Sequence, residues 1–216
     1  MNKQTLKNFA AAGLLLAAFL IFTALVQHID VQPFGPIGSL VGFTAVNGWF
    51  HALTGVHWTL YYFTDWLEFI SIGIAFSFGV MGLIQLIRRQ SLRKVDASIL
   101  ILGGFYLIVI GMYLLFNVYE VNYRPVLIKS ALEASYPSST TVLVLCVHVT
   151  AMMQLHNRMA RGAVRTLVLW LLGAFTVFMV LARLVSGVHW LTDIVGGVLL
   201  SAALVLLYRA AVSATI

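Results

Sequence analysis

A chain of 216 residues with 61% hydrophobic and only 9% charged side chains is excluded from the soluble globular class, where roughly a quarter of residues carry charge. Its apolar runs are continuous rather than alternating, which excludes an outer-membrane barrel and predicts an all-α membrane protein. The formal charge of +6 is explained first by membrane topology rather than by nucleic acid, and the single cysteine, Cys146, excludes an internal disulfide.

In chain order, the uncharged runs that span or nearly span a bilayer are Phe9–Gln27, Phe69–Ile87, Ala97–Tyr119, Ser135–Gln154, Thr166–Ala182 and Ile194–Tyr208. The first lacks a small-residue cleavage site and reads as a membrane helix rather than a signal peptide. The last two runs are short, so Arg183 and Asp193 are expected at the membrane boundary. Lys3 and Lys7, then Arg88, Arg89, Arg93 and Lys94, then Arg158, Arg161 and Arg165, and finally Arg209 fall on one side of this six-span arrangement. Arg124, Lys129 and Arg183 fall on the other. The excess of basic residues marks the first side as cytoplasmic and puts both termini there. The uncharged stretch Val31–Thr64 cannot add a seventh span without reversing every later loop, so a helix lying at the outer interface is expected within it. No linker or second domain is visible, and residues 1–216 read as one membrane domain. Gly-Val-His-Trp occurs at Gly55–Trp58 and at Gly187–Trp190 with no surrounding self-similarity, and reads as coincidence.

Three polar segments fall on the outer side. One is Asn117–Pro125, which contains Arg124. Another is Tyr136–Thr141, where Ser138, Ser139, Thr140 and Thr141 open span four after Pro137. Those hydroxyls fit an N-cap, the simpler reading, or an anion cradle at a helix N-terminus. The third is Ala182–Asp193, in which His189 and Asp193 are four apart and expected on one helical face. A carboxylate beside an imidazole fixes its tautomer and suits a nucleophile or base, while two arginines offer forks for phosphate oxygens. A structural Arg–Asp pair with His189 a bystander fits the same residues. Metal binding is less attractive, because only one His and one carboxylate are grouped there.

Assembled, these segments resemble the type-2 phosphatidic acid phosphatase (lipid phosphate phosphatase) family over roughly residues 56–210. The family's third signature, Ser-Arg, five residues, His, three residues, Asp, is matched by Arg183, His189 and Asp193, with Ala182 in place of the Ser. The end of the first is matched by Arg124-Pro125 and the start of the second, Pro-Ser-Gly-His, by Pro137-Ser138. The resemblance implies six helices and metal-independent hydrolysis of a phosphorylated membrane lipid with no cofactor. It implies that His189 forms a phosphohistidine with Asp193 behind it. Arg124, Arg183, Ser138 and the backbone near Ser139 would hold the phosphoryl oxygens. Asn117 stands where the first signature has a Lys. Thr140 stands where the second has the His that protonates the leaving group, a step worth about 10²–10⁴-fold. Surviving activity is therefore expected to favour lipid diphosphates, whose leaving phosphate needs a proton less than an alkoxide does. The expectation is a lipid phosphate or diphosphate phosphatase of a bacterial-type inner membrane, acting on the outer face. Its rivals are an impaired relative that binds phosphorylated lipid and a lipid or phosphate transporter. His148, on span four, reads as a histidine hydrogen-bonded within the bundle.

Overall fold

Lipid offers no partner to backbone N–H and C=O groups, so a chain this apolar satisfies them within helices. The computed structural model describes residues 2–215. Among them it has seven α-helices: α1 (Lys3–His28), α2 (Thr44–Thr54), α3 (Trp58–Arg89), α4 (Ala97–Val118), α5 (Ser139–Arg158), α6 (Ala163–Val185) and α7 (Leu191–Ser213). Between α1 and α2, β1 (Gln32–Pro33) pairs antiparallel with β2 (Leu40–Val41), a small addition to the all-α expectation. All the helices except α2 are long and apolar enough to cross a membrane, which gives the six expected spans of a multi-pass membrane protein. The short α2 lies within the stretch where an interfacial helix was anticipated.

Two spans form the interior. In α5 and α7 the most apolar window is 56% and 61% buried, against 11–22% in the other four. α7 packs along α1 and α5, and α5 also packs on α3 and α6. Leu14, Phe76, Leu107 and Trp170, each at least 70% exposed, form part of an apolar perimeter suited to lipid. Close contact between α7 and the chain entering α5 depends on Gly196. A Cβ there would lie 2.5 Å from the Tyr136 ring.

α3 begins eleven residues earlier than the apolar run Phe69–Ile87 suggested, and so includes Asp65 and Glu68. Those carboxylates interrupt the run in sequence, but Arg183 of α6 lies against both and offsets their charge. At the opposite end of the bundle, Asp96 accepts hydrogen bonds from Arg89 of α3 at 2.9 Å and Arg158 of α5 at 3.0 Å. The α3–α4 and α5–α6 connections there are short, whereas the α1–α2 and α4–α5 connections at the end carrying the polar segments are longer. The bundle is thus tied at one end and open at the other.

Candidate functional site

The site is built from three chain segments meeting at one end of the bundle. The α4–α5 connection doubles back on itself: Arg124 N–H donates to the Glu133 carbonyl at 3.0 Å and Ser135 N–H to that of Asn122 at 2.9 Å. It is fixed to α7 where Ser138 N–H donates to the Asp193 carbonyl at 3.0 Å. The Trp190 indole donates to the Tyr123 carbonyl at 2.7 Å. α2 braces the same corner. The Asn47 amide donates to Thr192 Oγ1 at 3.0 Å and its oxygen accepts Thr192 N–H at 3.2 Å.

His189 lies in the turn before α7, not on a helical face with Asp193 as its spacing suggested. Trp190 is the N-cap, and Asp193 Oδ2 reaches back to accept its N–H at 2.9 Å. This capping arrangement aims the carboxylate at the preceding turn. His189 Nδ1 is 3.5 Å from Asp193 Oδ2, and its Nε2 is 3.1 Å from an Arg124 N–H. An Arg has only protons to offer, so Nε2 is the acceptor and the ring proton sits on Nδ1, facing the carboxylate. Burial, then the charges of Arg124 and Arg183, hold the imidazole well below its ordinary range of protonation. A neutral ring with its lone pair on Nε2 can attack phosphorus.

The turn holding His189 is packed against the other copy of its own tetrapeptide. Gly187 has φ +71°, and a Cβ on it would sit 1.9 Å from the Gly55 carbonyl oxygen. His57 N–H donates to the Ser186 carbonyl at 2.9 Å. The repeated Gly-Val-His-Trp sequences, read as coincidence, are therefore spatial partners.

Arg183 is 2% exposed and donates in five directions. Nε bonds Thr140 Oγ1 at 3.0 Å, and one terminal nitrogen bonds the Tyr61 carbonyl at 3.2 Å and Thr64 Oγ1 at 3.0 Å. The other bonds Asp65 at 3.2 Å and Glu68 at 2.9 Å. Every N–H of the guanidinium thus has a protein partner. Thr140 in turn donates its hydroxyl proton to Glu68. Ser138 is fully buried and caps α5, accepting from Thr141 N–H at 3.4 Å.

A cavity of about 550 Å³ opens beside these groups. Its polar wall includes Arg124, His189, Ser139, Asn117 and three carboxylates, Glu68, Glu120 and Glu133. Ile72 of α3, Ile110 and Phe116 of α4 and Leu143 of α5 continue it between the helices. Of the predicted residues, His189, Arg124 and Ser139 face the cavity, whereas Asp193, Thr140, Arg183 and Ser138 stand behind that wall. Asn117 bonds its own helix at Tyr113. His148 is fully buried on α5, between Ser71 at 2.9 Å and Thr176 at 3.0 Å, as expected of a structural histidine. Sequence reasoning missed Asn47, Asp65 and Glu68. Two acidic residues near the start of a span were the available signal for the last pair.

Residues 117–215 match the PAP2 superfamily. The crystal structure of a transmembrane PAP2-type phosphatidylglycerolphosphate phosphatase from Bacillus subtilis superposes with a TM-score of 0.53 at 19% identity. The alignment covers 92% of this chain and 94% of that one. No curated protein matches the chain in sequence. A PAP2-type fold over nearly the whole length, with a PAP2 superfamily match over residues 117–215, which contain Arg124, Arg183, His189 and Asp193, makes this chain similar to the PAP2 superfamily.

Proposed function

We propose that this protein is a membrane lipid phosphatase acting on the outer face of a bacterial-type inner membrane through a phosphohistidine at His189. The observation that carries the reading is the unprotonated Nε2 at the cavity wall, with Arg124 beside it and Asp193 behind the other nitrogen. His189 attacks phosphorus in line, Asp193 offsets the charge that develops on the ring, and Arg124 and the first turn of α5 hold the phosphoryl oxygens. Water then hydrolyses the phosphoenzyme. The apolar extension of the cavity between α3 and α4 supports a substrate whose headgroup enters from the bilayer with its tail between the helices. The basic residues at the tied end support an outer-face site.

The test is phosphate release by purified protein over a panel of lipid monophosphates and diphosphates. Turnover of at least one lipid is expected, and His189→Ala should abolish it. Were no other group to supply the proton, Thr140 would make diphosphates the better substrates, and Thr140→His would raise monoester turnover more than diphosphate turnover. Equal gains on both would sink that preference. A second reading, binding of phosphorylated lipid without turnover, is favoured by Thr140 lacking an acidic proton. Saturable lipid binding with no release, unchanged in His189→Ala, would establish it.

A further inference from the structure

We propose that Glu68 is the general acid–base of this site, in the role that a histidine at position 140 would otherwise fill. The assignment rests on the phosphatase reading above and begins from Thr140. Its hydroxyl, too weak an acid to protonate a leaving group at neutral pH, is hydrogen-bonded directly to the Glu68 carboxylate. Glu68 lines the cavity together with His189, Arg124 and Ser139, whereas Thr140 does not. The carboxylate therefore stands between residue 140 and the space where a phosphoryl group would lie.

The other ionisable groups nearby are placed differently. Glu133 and Glu120 also line the cavity, but neither is bonded to residue 140: Glu133 pairs with Arg124 at 3.2 Å, and Glu120 accepts from Tyr123 in the α4–α5 connection. Asp65 is half exposed and lies outside the cavity. His148 is eight residues farther along α5, about 12 Å at 1.5 Å per residue, with both ring nitrogens bonded.

The proton balance closes with Glu68 alone. Two anionic oxygens brought close together share a proton, so Glu68 meets the phosphorylated substrate as an acid. As the His189 Nε2–P bond forms and the bond from phosphorus to the leaving oxygen breaks, the Glu68 proton passes to that oxygen. The carboxylate left behind is stabilised by Arg183 at 2.9 Å and by the Thr140 hydroxyl. In the second half-reaction Glu68 takes a proton from water, the water oxygen bonds to phosphorus, the P–N bond breaks and inorganic phosphate leaves. Thr140 then has a positive use. It is small enough to let the carboxylate approach, and its hydroxyl holds that carboxylate in place.

The experiment compares alkyl and aryl phosphate monoesters, whose leaving groups differ in their need for a proton, using full-length protein in detergent. Glu68→Gln should lower turnover of the alkyl ester about 10²–10⁴-fold and that of the aryl ester less than about tenfold. Adding Thr140→His to Glu68→Gln should restore the alkyl ester by returning an acid at residue 140. Equal loss on both esters in a folded Glu68→Gln protein, without that rescue, would mean that Glu68 only positions Arg183, and would overturn the assignment. Should Glu68→Gln not fold, wild-type rates across a series of leaving groups decide instead. A shallow dependence on leaving-group basicity supports an internal acid, and a steep one overturns it. Wild-type protein inactive on every ester and diphosphate, indistinguishable from His189→Ala, would instead refute the phosphatase reading itself.

Discussion

His189 illustrates how a single side chain takes its chemistry from its surroundings. An imidazole in water is half protonated near pH 6.5 and is then a poor nucleophile for half the time. Here burial and two guanidinium groups oppose the charged form, so the ring stays neutral to lower pH. Because protonation removes the attacking lone pair, activity should be lost as pH falls through that lowered value. The acid limb of kcat/KM is expected below pH 6.5, the ring's unperturbed value. A limb at or above it would mean that His189 is not the group titrating. Gly187 sets the position of the same ring, and Gly187→Ala should cost on the order of 2–4 kcal/mol by strained φ and collision with Gly55. Thermal unfolding in detergent measures that loss. At this scale the sequence was most legible in Arg183, His189 and Asp193, because their separations lie within ten residues. The partners of Arg183 were not legible. Glu68 is 115 residues away, and no local pattern couples it to the arginine it neutralises.

Helices carry the next level of organisation, and their limits show where charge rules mislead. Asp65 and Glu68 look like the end of an apolar run only while they are considered without Arg183. Once paired, they sit inside the 32-residue α3. The burial of α5 and α7 was equally hidden, since all six spans are apolar enough to pass as lipid-facing. The opposite end of the bundle gives a prediction at this scale. Arg89 and Arg158 hold the Asp96 carboxyl down at about 2, from an ordinary 3.8, and so tie α3 to α5. The folded protein favours the ionised form, so this stabilisation is fully present above the unfolded value and fades as pH falls toward the folded one. The pair is a third exposed and screened by water, so Asp96→Asn should cost only about 1 kcal/mol at pH 7. The difference in melting temperature between the two proteins should shrink between pH 4 and pH 2. A difference independent of pH would assign the loss to the hydrogen bond that the Gln85 amide donates to the Asp96 side chain instead.

At the scale of the whole molecule, the two ends of the bundle differ in charge and in construction. The tied end carries ten of the thirteen basic residues, and the open end carries the cavity, α2 and the turn bearing His189. Charge asymmetry of this kind orients a chain during insertion, because Lys and Arg resist translocation. The proposed outer-face chemistry therefore depends on an orientation that can be measured without any substrate. Cys146, the chain's single cysteine, is fully buried in α5, so Cys146→Ala provides a background free of thiols. In that background Lys129→Cys places a thiol in the α4–α5 connection at the open end, and Arg93→Cys places one in the α3–α4 connection at the tied end. In intact cells a membrane-impermeant maleimide should label the Lys129→Cys protein at once and the Arg93→Cys protein only after permeabilisation. The reverse pattern would put His189 on the cytoplasmic side. The substrate would then have to be a lipid phosphate of the inner leaflet, with the positive-inside rule broken at every connection.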